Sequence, residues 1–171
     1  MRLNLRVALI LLIGLVAVGG VWSGVQTQSA VPESTGLKSA TLVIDFGSAA
    51  GRQPKVIELA DVPASETGWD LLGRAGVLVE GTSQYPTGFV CRLDGWPSAD
   101  LEDCDETPSY ADGHWAYYVT SSDLGGDWIL SGQGAAAHVV ECGGFEGWKW
   151  VGPREESAPP AMSPEIRECA P

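Results

Sequence analysis

The sequence predicts an α+β domain in which one short helix packs on a small mixed sheet. Three observations carry that expectation. Apolar residues alternate with a period of two in several short segments, one stretch alone carries helical spacing behind a capping signal, and no strand–helix unit repeats. At 171 residues the chain has room for a single core.

That core does not begin at the N-terminus. Arg2 and Arg6 precede an uncharged run from Val7 to Val25, and basic residues followed by an apolar stretch form an export signal whose basic end stays in the cytoplasm. Its length fits the ~17–25 residues of a bilayer-spanning helix. Small-residue cleavage positions at Val21–Ser23 and Gln28–Ala30 are poor. An uncleaved single-pass anchor, N-terminus inside, is therefore favoured over a removed signal. Either outcome places the rest of the chain outside the cytoplasm. The expected organisation is a signal peptide or signal-anchor helix over 1–25, a polar tether over 26–39, a domain over 40–152 and a proline-rich acidic tail over 153–171.

Within the domain, TLVIDFG alternates Leu42, Ile44 and Phe46 with Thr41, Val43 and Asp45, which reads as a half-buried strand. GSAAGRQP is a turn, and Lys55 to Val62 a second strand. Thr67 and Asp70 supply a T-x-x-D cap for a helix of two to three turns carrying Trp69, Leu72 and Ala75, with Gly76 placed to end it. Val77 to Val79 returns as a short strand. In GFVCRLDG, Phe89, Cys91 and Leu93 share a face, and Asp94-Gly95 signals a turn. Trp115, Tyr117 and Val119 share one face of a strand whose other face carries His114 and Tyr118. DWIL is a further short strand, and Trp148 and Trp150 lie on one face of GWKWVG. From Pro153 the chain reads as extended and poorly packed.

Cysteine chemistry follows from the compartment. Outside the cytoplasm an even count of four (Cys91, Cys104, Cys142, Cys169) reads as two disulfides. Of the three pairings, Cys91–Cys104 is the local choice, leaving Cys142 with Cys169. No close Cys pair suggests zinc. Charge excludes other partners. The net charge is −12. Beyond the N-terminal segment eight Lys and Arg stand against 22 Asp and Glu, a net of −14, and no Lys or Arg lies between Arg92 and Lys149. Such a surface repels phosphate, so nucleic acid is not an expected partner.

Taken together, GWDLLGRAG, GFVCRLDG, HWAYYV and GFEGWKWV resemble the transcobalamin-like C-terminal domain family, and more closely its exported actinobacterial type with a Cys-pair hairpin. The resemblance spans Ala40 to Gly152. It implies a β-grasp fold and either a binding role, in which a corrinoid is capped by this domain and held mainly by another, or a place on cell-surface proteins with no known ligand. Within these 171 residues a second domain of that kind is not expected.

Ligand-binding candidates are few. Trp96 follows a turn and precedes Pro97 in the clasped loop, where a large aromatic ring suits stacking; His114 and Tyr118 are the secondary candidates. The acidic stretch from Asp100 to Glu106 with Asp112 lacks the alternating ligand pattern of a calcium loop, so no metal site is assigned. No nucleophile elbow, H-E-x-x-H or phosphate-binding glycine loop is present, so no catalytic residue is assigned and no enzyme activity is expected. The expected function is an exported or membrane-anchored binding module that captures a small molecule, corrinoid-like by resemblance, in the service of uptake. An envelope protein–protein interaction domain and a carbohydrate-binding module are the alternatives.

Overall fold

A computed structural model describes residues 36–121 and 125–165. The expected N-terminal helix, most of the tether and Cys169 lie outside the described residues. Among the described residues no helix is long and apolar enough to cross a membrane.

Among the described residues seven strands and one α-helix, besides a 3-10 turn at Ser48–Ala50, follow in the order β1 (Leu37–Asp45), β2 (Lys55–Pro63), α1 (Gly68–Arg74), β3 (Val79–Gly81), β4 (Val90–Leu93), β5 (His114–Thr120), β6 (Trp128–Leu130) and β7 (Phe145–Val151). Five of them form a mixed sheet in the order β2-β1-β7-β5-β6, while β3 and β4 pair as a separate hairpin. The first and last strands, β1 and β7, run parallel at the centre; their neighbours are antiparallel. Strand β1 starts at Leu37, so the last three residues of the expected tether already belong to the sheet.

The period-two pattern assigns the main-core faces as expected, but β1 is not half-buried: Thr41, Val43 and Asp45 on its other face are buried as well. Leu42, Ile44 and Phe46 of the first strand segment, Trp115, Tyr117 and Val119 of β5, and Trp148 and Trp150 of β7 build the main core with Leu71 and Leu72 of α1. Ring contacts order it: Trp115 meets both Phe46 and Trp150 edge-on, with centroids 5.8 and 5.7 Å apart. The helix begins where the capping signal places it. Thr67 Oγ1 accepts from the Asp70 backbone N–H at 3.2 Å, and Asp70 accepts in return from the Thr67 N–H at 3.4 Å. It ends at Gly76, whose φ of +68° is the left-handed conformation glycine tolerates. Val77 and Leu78 lead into β3 rather than forming it, and Trp69 is half-buried against the core rather than inside it.

Strand β4 differs from a half-exposed strand because both its faces are covered. Val90, Cys91, Arg92 and Leu93 are all buried. The cover is the loop that the disulfide holds: Cys91 and Cys104 are bonded, with Cα atoms 5.6 Å apart. Arg92, 7% exposed, donates to the carbonyls of Pro97 and Glu102 inside that loop and pairs with Glu80 at 2.6 Å. The buried guanidinium thus replaces hydration with loop carbonyls and one carboxylate. Cys142 is also disulfide-bonded.

The tail is largely exposed over 153–159, as expected of a loosely packed segment, but it seats on the sheet at one point. One helix and one hairpin cover a single face of the sheet, so the other face needs its own cover. Tail residues supply it: Pro160 is buried, Trp128 Nε1 donates to Met162 O at 2.7 Å, and Ala161 N donates to Asp45 Oδ2 at 3.2 Å.

Replacing Cys91 and Cys104 together by Ser should lower unfolding stability by about 3 kcal/mol, the chain-entropy value for a loop of this length. Denaturant titration of the variant against the parent chain checks this, with non-reducing peptide mapping to confirm the Cys91–Cys104 link.

Candidate functional site

Between β4 and β5 the chain runs through residues 94–113 without a regular element. Connections of this length usually either serve a function or lack order. This one is held at many points. Asp94 and Gly95 both take positive φ, as a two-residue hairpin turn requires, and Leu93 and Trp96 exchange backbone bonds across it at 3.0 Å. Arg52 and Lys55, from the start of β2 and its preceding turn, close on this corner: Arg52 donates to Asp94 O at 3.0 Å, and Lys55 pairs with the Asp94 carboxylate. Against the cost of burial, Lys55 and the Leu78 N–H hold the Asp94 carboxyl below its ordinary value. Farther along, Ser83 N donates to Cys104 O at 2.7 Å and Tyr110 OH to Arg154 O at 2.7 Å.

The three residues singled out for ligand contact do not come together. Trp96 packs on the main core, edge-on to Trp150 at 6.3 Å, with the Arg52 guanidinium 5.9 Å from its ring centre. Its indole N–H is buried with no acceptor among the described residues. The ring is thus half-buried between core and cation. Tyr118, 4% exposed, lies on the opposite face of the sheet with Ala116 and Val151, against Trp128. Burial raises its hydroxyl pKa. His114 shares that strand face; burial lowers its pKa, favouring the neutral ring. The sheet itself separates Trp96 from the other two.

The clasped loop instead borders a hollow of about 530 Å³ lined by Leu101, Glu102, Asp103, Asp105, Glu106, Thr107, Pro108, Ser109 and Asp112. Its chemistry is acidic and hydrogen-bonding. Several of these groups are engaged locally: Ser109 Oγ donates to Asp112 at 2.6 Å, and Glu102 accepts from the Cys104 N–H at 3.1 Å. Among the described residues no three His, Cys, Asp or Glu side chains converge as metal ligands. A second, more open hollow of about 780 Å³ lies beside α1 between Trp69, Asp70, Val77 and the Arg74–Glu66 ion pair.

A third constellation was not foreseen from the residue order. Glu146 on β7 is 1% exposed, accepts a hydrogen bond from Tyr117 OH, and lies 3.3 Å from His138 Nε2, an ion-pair contact outside hydrogen-bond alignment. The His138 backbone carbonyl also accepts from the Gly68 N–H at 3.0 Å, which docks its loop on the start of α1. Lys38 approaches from β1, donating to the carbonyls of Ala64 and Val140; burial lowers its pKa, opposed by Glu146 and Glu66. The Glu146 contact raises the His138 pKa against the cost of burial, and burial followed by Glu146 raises that of Tyr117. An acid, an imidazole and a phenol in contact could in principle move protons. Here Gly68 closes over them: a Cβ at that position would overlap the Tyr117 hydroxyl and lie 3.0 Å from Glu146 Oε2. The cluster joins helix, loop and sheet as a fastener. One signal pointed to it: Glu146 has the same strand parity as Trp148 and Trp150, so it had to face the core.

Two outcomes follow from this fastener. Gly68→Ala should destabilise the fold by about 1–3 kcal/mol, the usual cost of overpacking, as read by denaturant titration. Because the His138 pKa is raised in the folded state, its contribution is fully present below the unfolded value near 6.5 and lost as pH rises through the folded value. The melting-temperature gap between the parent and His138→Gln should therefore be widest near pH 5.5 and shrink toward pH 9. Comparison with protein-family models finds no match, and comparison with curated proteins finds none.

Proposed function

We propose that this chain is a non-enzymatic, extracytoplasmic binding module of β-grasp type, held to the membrane by its N-terminal helix or secreted, which captures a small polar ligand at the clasped loop in the service of uptake. The β-grasp reading rests on topology. An opening hairpin (β1–β2), a helix crossing one face, and a last strand inserted parallel to the first give the order β2-β1-β7-β5-β6, with β3–β4 added beside it. The resemblance to transcobalamin-like C-terminal domains points the same way and suggests a corrinoid as the ligand class. A molecule of that size would rest over the rim of the 530 Å³ hollow and engage a second surface as well.

One observation carries the binding role: a 94–113 connection with no regular structure is nonetheless fixed by a disulfide, a buried arginine and a cross-strand turn. A fold that needed only a link between β4 and β5 could use a few residues. Ordering twenty costs conformational entropy that a mere connection does not recover, whereas a rigid loop on a scaffold is where binding groups are commonly placed. The ring-stacking expected of a carbohydrate module is less well supported, since all six tryptophans beyond the N-terminal segment are buried or half-buried.

Titrating cyanocobalamin and, separately, simple sugars into the full chain while following tryptophan fluorescence tests this reading. The expected result is a saturable change with cyanocobalamin that Glu102→Ala with Asp112→Ala weakens at least tenfold. A response to sugars alone would favour the carbohydrate alternative. Silence toward both would leave envelope protein docking as the better account.

A further inference from the structure

On the sheet face away from α1, Trp128 of edge strand β6 packs against Ala116, Tyr118 and Val151 and meets Phe145 edge-on at 6.1 Å. Beside it stands Gly147. A Cβ there would lie 2.7 Å from the Trp128 ring and 3.0 Å from Pro160 Cγ, so the missing side chain opens a notch between ring and sheet. Pro160 fills the notch and is buried, whereas every residue of 153–159 is exposed. The neighbouring tail residues are read through their backbone. The Ala161 N–H donates to Asp45 Oδ2 at 3.2 Å, and Met162 O accepts from Trp128 Nε1 at 2.7 Å. Asp45 is held for this role by Lys149 at 2.7 Å.

The notch therefore selects by shape for a proline ring, by an indole N–H for a backbone carbonyl, and by a carboxylate for a backbone N–H. An aromatic wall with a ring N–H donor is how extended proline-containing peptides are recognised, because the proline segment arrives with little conformational entropy left to lose. We infer that this notch is a binding site for an extended, proline-containing peptide segment of another protein, and that the chain's own tail is its resident competitor. Among its described residues the tail adds no strand to the sheet and engages the notch through three consecutive residues. It also ties down the clasped loop, since Arg154 N donates to Tyr110 O at 2.9 Å while Tyr110 OH donates to Arg154 O. Peptide exchange at the notch would therefore free one restraint on that loop. A tethered tail acts at an effective concentration of about millimolar, so a competitor must overcome that.

The test uses a fluorescein-labelled peptide with the sequence of residues 156–164 and the full-length chain, read by fluorescence anisotropy. Pro160→Asp, checked for folding by circular dichroism, should empty the notch and bind the peptide at least tenfold more tightly than the parent chain. Adding Trp128→Phe should remove most of that gain, and a peptide with Asp in place of its second consecutive proline should not bind. A folded Pro160→Asp chain that binds no better than the parent, or binding indifferent to Trp128 and to the proline, overturns the inference. If Pro160→Asp does not fold, the Trp128 indole N–H resonance of the parent chain is followed during titration with millimolar peptide. A saturable shift there supports the site, and an unmoved resonance overturns it.

Discussion

Burial of the Glu146 carboxylate sets the terms for most of the fold. An ionised group taken out of water must be matched by donors or opposite charge, or the buried state is lost. Glu146 finds its partners on three separate pieces of chain: Tyr117 on β5, His138 in the loop before β7, and Lys38 at electrostatic range on β1. Withdrawing any one of them leaves the buried carboxyl group short of a partner. The helix is drawn into the same arrangement, because Gly68 lies directly over the Tyr117 hydroxyl and takes the His138 carbonyl. A polar cluster of this kind contributes little net stability beside an apolar one of equal volume. What it does is join helix, loop and sheet at one point.

Around that centre the two faces of the sheet are closed by different means. The helix side is covered by regular structure and by the disulfide-held loop, where Arg92 does inside the loop what Glu146 does inside the core. The opposite face has no helix and is closed by the tail through a proline, an indole and one carboxylate. The two covers meet at Tyr110 and Arg154. A small domain with one helix has little apolar area to spare, so both irregular covers are part of how it excludes water from its strands.

Much of this was legible in the residue order. Period two in TLVIDFG, HWAYYV and GWKWV placed the core faces correctly because a strand's side chains must alternate, whatever it pairs with. The T-x-x-D cap and Gly76 bounded α1 because those requirements are local. The Cys91–Cys104 link was readable from the short spacing and the even cysteine count. The environment of Trp96 was not legible: its neighbours Arg52 and Trp150 are distant in sequence, and their approach depends on how the β1–β2 turn folds over the Asp94 corner. The same holds for Pro160. Prolines in an acidic tail look unstructured until a glycine in β7 and a tryptophan in β6 are brought side by side.

Local rules thus determined where strands run, which face of each is apolar, where the helix starts and stops, and which nearby cysteines join. Each depends only on a residue and its close neighbours along the chain. Tertiary structure alone decided that β1 and β7 lie parallel at the centre, that Glu146 shares a buried contact with His138 and Tyr117, and that the tail seats in the Trp128 notch. These are meetings of groups far apart in sequence, and their energies exist only once the backbone has brought the partners within a few ångströms and removed the water between them.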